Sequence, residues 1–435
     1  MNDIDNLSRI LQRIDEKAAI YSRLTAYYEG RQALTFLSPE ARLALNNRLS
    51  AVSVNVPRLL VDTIGERLRV TGLSRPDAWE DWRANGLDTM HRVAHREALL
   101  LGDAFVIVWA RPDGSPLVTV ESATTMAVTT DPATREVTAA VKRWEAADGT
   151  HAVWYEADRI TRWHSPSKGA ATTGYRKVDT ITNPLGQVPV VWLRNGDRLV
   201  QTGVSEMTDV LSLTDALVKL TTDMLTASEY AARPRRWASG VELIERDDQG
   251  RPLDPDAEPE NPFGETDRMM VSESPDTKFG QLPGADLAGY ENAVGVIMRQ
   301  ISAVSGMPEH LLGIGGDNPT SADSIRASEA ALTARAEARQ GTYGQAWRQV
   351  AQLMTAVRHG IDPAAVDVTV SWADPSTRSA AQEADAVVKL FSAGLVPASY
   401  ALRRLGYTAD EIDAIRADRL TDAVTSGDLS GVVAQ

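Results

Sequence analysis

The residues in this sequence that could do chemistry begin with two histidines, His91 and His95, in the segment HRVAH. On a helix this spacing of four places both imidazoles on one face, as in a two-histidine metal site. The glutamate of a metalloprotease helix is missing from the segment, and Arg92 and Arg96 adjoin the histidines. We therefore expect ordinary, partly exposed histidines, with metal ligation as the alternative.

Two other segments carry groups that could hold a ligand. The glycine-rich segment 313–321, GIGGDNPTS, lacks the lysine with which a phosphate-binding loop reaches the phosphates. Segment 242–276 holds twelve acidic and three basic residues, but their spacing is not that of an EF-hand loop. His310, in MPEHLLG, is expected to cap or pack the end of a helix. These patterns predict no metal and no cofactor.

Other routes to catalysis are also disfavoured. The cysteine count is 0, which excludes thiolate catalysis, disulfides and cysteine-ligated metals. A Gly-x-Ser-x-Gly elbow does not occur in the sequence. We predict that the protein is not an enzyme. The tryptophans that fall in alternating segments, where core packing is expected rather than base stacking, are Trp109, Trp144, Trp154, Trp163 and Trp192.

The balance of charge limits the possible partners. The 435 residues include 45 Lys+Arg against 59 Asp+Glu, a net −14, which argues against a surface that grips nucleic acid over most of its area. The length predicts about two to four domains. Residues 1–28 alternate acids and bases, unlike a signal peptide, and the most apolar window, 98–110, is too short for a membrane span. We expect a protein that stays in the cytoplasm and contacts no membrane.

The order of elements predicts an α+β fold. Helical spacing dominates residues 1 to about 100, with one helix after Pro39 and another from Val56 to Leu68. From Phe105 to about residue 193 apolar and polar residues alternate between short turn segments, which is typical of antiparallel strands. The α+β body therefore covers about the first 200 residues.

Two later segments show the narrow apolar stripe of helices that pack along a seam. Spacings of three and four residues alternate from Val210 to Ala231 and again from Leu287 to Val304. The acidic, proline-rich segment 233–285 between them cannot be a long helix. We interpret the three segments as a two-helix stalk with a small lobe, and a solvated loop is the alternative for the acidic run. The seam residues are Leu213, Leu217, Leu220, Met224, Tyr290, Val294, Ile297 and Ile301.

The rest of the chain is predicted to be mainly helical. After the loop 313–321 a helix runs from Ala322 to about Arg358, which is about 55 Å at 1.5 Å per residue, kinked near its two glycines. A strand over 366–372 and a compact helical tail over 379–422 follow. The apolar residues expected to anchor the second half of the long helix are Trp347, Val350, Met354 and Val357.

This order of elements resembles that of the portal proteins of tailed double-stranded-DNA bacteriophages. Residues 27–73, from YYEGRQ to RVTGL, look like the start of that family's wing in the branch found in phages of actinobacteria. Residues 301–332, ISAVSGMPEHLLGIGGDNPTSADSIRASEAAL, are similar to its stem end, tunnel loop and long helix. The resemblance runs nearly from end to end.

The resemblance implies a portal fold, in which an α+β wing, a two-helix stem, a small inserted clip, a long kinked helix and a C-terminal helical crown follow one another. The implied parts are the wing 1–204 with strands at about 105–193, the stem helices 205–232 and 286–312, the clip 233–285, the tunnel loop 313–321, the long helix and return strand 322–375, and the crown 376–435.

The resemblance also implies a ring, typically of about twelve subunits, at one vertex of the capsid. Double-stranded DNA would pass through it during packaging and ejection, without sequence recognition and with few phosphate contacts, because each such contact would retard sliding. The clip would dock terminase and later the head–tail adaptor, and the major capsid and scaffold proteins would be further partners. The location would be the virion, and the host cytoplasm during assembly.

Three sets of residues would carry these roles. The DNA-facing tunnel-loop residues would be Gly313, Gly315, Gly316, Asp317, Asn318, Thr320 and Ser321. Transient contacts to the DNA backbone would come from Arg299 and Arg326. The clip acids that meet terminase or adaptor would be Asp247, Asp248, Asp254, Asp256, Glu258 and Glu260.

Two alternatives stay open. One is another oligomeric head-morphogenesis protein, which should lack a two-helix stalk around an insertion. The other is a soluble hydrolase whose site the sequence does not reveal.

Overall fold

The chain divides into two compact units in a computed structural model. The body comprises residues 1–35, 53–216 and 297–435, and the insertion unit comprises residues 36–52 and 217–296. The predicted α+β class is confirmed. The residues that the structure describes are 3–33, 54–196, 198–199, 202–232, 236–241, 244, 247, 249, 251, 276–281, 287–314, 322–376 and 380–426.

The helices follow the predicted order. They are α1 (Asp3–Tyr28), α2 (Val56–Glu66), α3 (Pro76–Ala84), α4 (Leu87–Leu101), α5 (Leu211–Ala232), α6 (Ala288–Ser305), α7 (Ala322–His359), α8 (Ala380–Ser392), α9 (Ala398–Arg404) and α10 (Ala409–Ser426). Short 3-10 turns cover Thr208–Val210, Glu309–Leu312 and Pro363–Ala365. The helix expected after Pro39 lies outside the described residues.

The strands are β1 (Val70–Leu73), β2 (Asp103–Ala110), β3 (Pro116–Ser122), β4 (Met126–Thr130), β5 (Val137–Ala146), β6 (Gly149–Tyr155), β7 (Arg159–Ser165), β8 (Arg176–Thr182), β9 (Val190–Arg194), β10 (Arg236–Ser239), β11 (Lys278–Gln281) and β12 (Val370–Trp372). In the body they form the sheets β3-β2-β9, β4-β5-β6-β7-β8 and β1-β12. All the pairings are antiparallel, which confirms the predicted meander.

The strand expected over 366–372 is shorter than predicted, and its partner was not predicted. Only Val370–Trp372 is extended in a ladder, with β1 as its partner almost 300 residues earlier. Before it, the Val366 carbonyl accepts from the Gln352 side-chain amide at 2.8 Å, and the Thr369 N–H donates to the Ser74 hydroxyl at 2.9 Å. Because side chains satisfy these backbone groups, the strand ladder begins later than the apolar pattern suggests.

The apolar face of α1 packs against the five-stranded sheet. The contributing residues are Leu7, Ile10, Leu11 and Ile14 from the helix and Ala127, Val141, Ala152, Trp154, Trp163 and Tyr175 from the sheet and the segment before β8. Trp154 and Trp163 are therefore core residues, as predicted. Trp144 is not, since it is 38% exposed on the other face of the sheet.

The two histidines of the HRVAH segment are buried, so the expectation that they are partly exposed was wrong. His95 is 0% and His91 is 1% exposed. The Trp347 Nε1–H donates to His95 Nε2 at 2.7 Å, and His95 Nδ1 lies 3.1 Å from the Leu68 carbonyl oxygen. The network therefore assigns a neutral ring with its proton on Nδ1.

His91 is held in the same way. Its Nδ1 lies 2.6 Å from the Leu87 carbonyl oxygen, and its Nε2 faces the Val70 N–H at 3.4 Å. Both ring nitrogens of each histidine are thus occupied within the protein, which leaves neither imidazole available as a metal ligand.

Helix α7 has 38 residues, about 57 Å at 1.5 Å per residue, and its helical hydrogen bonding continues through both glycines. A Cβ on Gly344 would lie 3.3 Å from Trp372 Nε1, so this glycine lets β12 pack closely on the helix. The predicted anchors Trp347, Val350 and Met354 are all 0% exposed. Within the described part of the chain, no helix is both long and apolar enough to cross a membrane.

The buried histidines predict a loss of stability in acid. Burial lowers the pKa of His91 to about 4 and that of His95 well below its ordinary value, so the unfolded chain takes up protons that the folded chain does not. Between pH 6.5 and about 4 the free energy of unfolding should fall, by on the order of 3 kcal/mol for His91 alone at about 1.4 kcal/mol per pKa unit.

Urea denaturation at a series of pH values measures this loss. His91→Gln should make the free energy of unfolding depend less steeply on pH, because glutamine does not titrate. The variant is nevertheless expected to be less stable than the wild type at neutral pH. Met90→Gln, at an exposed residue of the same helix, is the control and should leave the pH dependence unchanged because it removes no titratable group. If the free energy of unfolding depends equally on pH in the wild type and both variants, the acid sensitivity does not come from His91.

Candidate functional site: the long helix and its anchors

The first half of α7 is attached to the body through a buried carboxylate near its start. Glu329 is 5% exposed, and its Oε2 accepts a hydrogen bond from Arg67 Nη2 at 2.9 Å. Arg67 directly follows α2. The other oxygen, Oε1, lies 3.5 Å from Nε2 of His310, in the 3-10 turn before the loop 313–321. One side chain therefore connects both flanks of that loop and the end of α2.

A second carboxylate holds the middle of the helix. Glu206 accepts from Arg339 Nε at 2.6 Å and from Arg335 Nη1 at 3.4 Å. The Asn195 amide donates to the same carboxylate at 3.2 Å, and the Tyr343 hydroxyl donates to the Asn195 side-chain oxygen at 3.0 Å. Polar groups on three turns of α7 are thereby fixed to the segment that precedes α5.

The last turn of α7 is attached at α3. Arg358 Nε donates to Asp81 Oδ2 at 2.6 Å, and a second bond joins its Nη2 to Oδ1. Asp81 is 1% exposed. A buried carboxylate is costly unless it is paired and hydrogen-bonded, so these arginines fix the position of α7 on the body.

Gly313 is the one predicted tunnel-loop residue that the structure describes. It is exposed, ends the 3-10 turn with a φ of 72°, and its N–H donates to the His310 carbonyl at 3.3 Å. Such a φ favours glycine, which explains the residue type at this position. The other predicted loop residues, Gly315, Gly316, Asp317, Asn318, Thr320 and Ser321, lie outside the described residues.

The predicted seam residues lie on α5 and α6. Leu217 and Ile301 are buried, at 1% and 0% exposure. The others are half-buried, namely Leu213, Leu220, Met224, Tyr290, Val294 and Ile297. Helix α5 also carries four threonines whose hydroxyls donate to the carbonyl four residues earlier, at 2.8 to 2.9 Å. Of the predicted DNA contacts, Arg299 is exposed on α6 and Arg326 is half-buried in the first turns of α7.

The insertion unit contains a strand pair that sequence reasoning missed. Strands β10 and β11 pair antiparallel from Arg236↔Gln281 to Ser239↔Lys278, so the two ends of the acidic segment lie side by side. The ring of Trp237 covers Gly280, where a Cβ would lie 2.4 Å from the indole. Trp237 is 45% and Phe279 42% exposed. The aromatic residues that flank the proline-rich run were the available signal.

One of the six predicted clip acids is described. Asp247 is exposed, and its Oδ1 accepts the N–H groups of Gln249 at 2.9 Å and Arg251 at 2.8 Å, which forms a local turn. The other five, Asp248, Asp254, Asp256, Glu258 and Glu260, lie outside the described residues.

The arrangement defines a structural class: a helix-and-sheet scaffold with an inserted acidic segment. Residues 7–423 match the family of phage portal proteins of the SPP1 Gp6-like type, and the chain belongs to this family. It is therefore a structural, non-enzymatic component of the phage particle, a head–tail connector of the virion.

Two relatives carry the name portal protein. The portal protein of Mycobacterium phage D29 is 30% identical over 425 residues, which cover 90% of this chain and 83% of that protein. The portal protein of Mycobacterium phage L5 is 28% identical over 423 residues, with the same coverage. The resemblance to the actinobacterial branch is thus confirmed.

Among solved structures, chains of the gene transfer agent (GTA) particle are distantly similar to this chain. A chain in the neck of the native particle, computed with C12 symmetry, has a TM-score of 0.45 and 14% identity over 89% of this chain and 99% of that one. A chain in the virion of the native particle has a TM-score of 0.45 and covers 85% of this chain and 94% of that one.

The anchoring of α7 predicts a selective effect of Glu329→Gln. This substitution keeps the shape of the side chain but removes the buried charge opposite Arg67, so the free energy of unfolding should fall by about 3 kcal/mol. Amide hydrogen exchange over 322–332 should rise by at least about tenfold, while that over 350–357 changes little.

The matched control is Arg348→Gln on the same helix. Arg348 and Asp367 are 50% and 93% exposed and 3.8 Å apart, and such a surface pair contributes less than about 1 kcal/mol. If both variants lose stability and protection equally, Glu329 is not an anchor.

Proposed function

We propose that this chain assembles into a ring of about twelve copies at one vertex of the phage capsid. Double-stranded DNA passes through the centre of the ring during packaging and ejection. The observation that carries the proposal is the match to the portal family over residues 7–423, because a connector between head and tail has to surround the path of the genome.

A closed ring requires that one surface of each subunit contacts a different surface of the neighbouring subunit. The half-buried seam of α5 and α6 and the exposed apolar residues of α6 are suitable for such contacts. Val296 and Val304 on α6 are 47% and 46% exposed. A second apolar set on and after α8 consists of Val388, Leu390, Phe391 and Leu395, which are 55%, 42%, 36% and 71% exposed.

The charge of the chain supports passage rather than tight binding of DNA. A net charge of −14 provides few groups to neutralise phosphates, and each neutralised phosphate would add salt-dependent affinity that slows sliding. Arg299 and Arg326 are the proposed sites of sparse, transient backbone contacts. The duplex is not read by sequence, and the loop 313–321 touches it as it passes.

The acidic clip, residues 233–285, is the proposed docking site for terminase during packaging and for the head–tail adaptor afterwards. Its acids, of which Asp247 is exposed, would meet basic surfaces on these partners. The major capsid and scaffold proteins are proposed to contact the ring in the host cytoplasm during assembly.

Native mass spectrometry and negative-stain imaging of the purified full chain test the ring. We expect a closed ring of about twelve or thirteen copies with a central hole.

Leu220→Glu places a charge in the α5 seam and should prevent closure of the ring, because a charge removed from water without a partner is costly. Val178→Glu, at a strand residue that is 62% exposed, is the control and should still form rings. A wild-type population of monomers and dimers at high concentration and several salt levels would contradict self-assembly.

Deletion of residues 314–318 tests the role of the loop. Rings should still form, because the flanks of the loop remain joined through Glu329 and His310, but DNA packaging in an infection assay should stall. Packaging at wild-type efficiency would remove the loop from the DNA path, and loss of the rings would show that it serves assembly instead.

A further inference from the structure

A row of aromatic and imidazole side chains crosses the five-stranded sheet on the face opposite α1. His151 on β6 lies directly opposite Trp144 on β5 and directly opposite His164 on β7. The turn between β5 and β6 consists of the two residues Ala147 and Asp148. Because this turn is so short, the Asp148 carboxylate is placed beside the two histidines.

The three side chains converge to the dimensions of a metal site. Asp148 Oδ1 lies 3.0 Å from His151 Nε2, and Asp148 Oδ2 lies 3.7 Å from His164 Nε2. The ligand atoms of the three residues all lie within 4.8 Å of one another. Tetrahedral ligands at zinc distances of 2.0 to 2.1 Å are about 3.4 Å apart. The observed separations therefore need only small side-chain adjustments around an ion.

We propose that Asp148, His151 and His164 form a binding site for a divalent transition-metal ion of the zinc type. Two imidazoles and a carboxylate suit zinc, copper or nickel, whereas magnesium and calcium prefer sites made of oxygen ligands. The side chains of the two histidines are 27% and 30% exposed, so the ion can enter from solvent and complete its coordination with water.

The surroundings hold the ligands in place. The Trp144 ring stacks on the His151 ring at 5.4 Å between centroids and 14° between planes. A Cβ on Gly149 would lie 2.1 Å from the Ser165 carbonyl oxygen and 3.0 Å from His164 Nε2, so only glycine lets the turn approach β7 so closely. His164 Nε2 also lies 3.2 Å from the Asp148 carbonyl oxygen, a contact that a bound ion would replace.

This site has neither the helical histidine spacing nor the clustered acids by which metal sites are predicted from a sequence. His151 and His164 are thirteen residues apart, and only the pairing of β6 with β7 brings them together. An ordinary surface contact between Asp148 and His151 would need no second imidazole at this distance. His164 is therefore the residue that distinguishes a metal site from an ordinary Asp148–His151 contact.

Titration of the full-length protein with zinc chloride by calorimetry, at neutral pH and with excess magnesium present, tests the site. We expect one zinc ion per chain in a saturable transition. His151→Ala, His164→Ala and Asp148→Asn should each weaken binding by at least about tenfold. The control is His359→Ala. His359 Nε2 lies 2.9 Å from an Asp77 carboxylate oxygen, but no second histidine joins this pair. The variant should therefore bind zinc like the wild type.

The fluorescence of Trp144 provides a second readout. Because this ring stacks on a proposed ligand, copper(II) should quench part of the emission, and Trp144→Phe should remove that part while zinc still binds with the same stoichiometry. Absence of saturable zinc binding, or equal binding by the wild type and the His151→Ala/His164→Ala double variant, would overturn the proposal. The outcome is independent of ring formation.

Discussion

The charge pairs along α7 are the constraint on which the rest of the body depends. Glu329, Glu206 and Asp81 are removed from water, so each needs its arginine partner, and these pairs fix the helix along its whole length. The alanine-rich first half of α7 offers little large apolar surface that could do the same. Since Glu329 also contacts His310, the chain before the loop 313–321 is fixed to the helix that follows it.

Aromatic packing adds to the Arg358–Asp81 pair in holding the second half of α7. Its Trp347 meets His95 and Trp82, and the ring of Trp372 on β12 stacks on His95 from another side. These contacts require a neutral imidazole, because a proton on His95 Nε2 would face the donor N–H of Trp347. The packing of the return strand and the protonation state of a histidine are therefore linked.

Anchored flanks are consistent with the role proposed for the loop in a portal ring. A segment that touches a moving duplex can change conformation repeatedly only if its neighbours keep their positions, and Glu329 and His310 meet that requirement on the two sides of the loop. The metal site proposed at Asp148 uses residues of the five-stranded sheet and none of these anchors.

The sequence by itself determined the local elements. Apolar period and turn residues predicted the helices from Val56 and Ala322 and the antiparallel strands, because these patterns depend on neighbours in the chain. The tertiary structure decided the pairing of β1 with β12, the burial of His91 and His95, and the meeting of His151 with His164. Each of these joins residues on different elements, and a one-dimensional pattern holds no information about which faces meet.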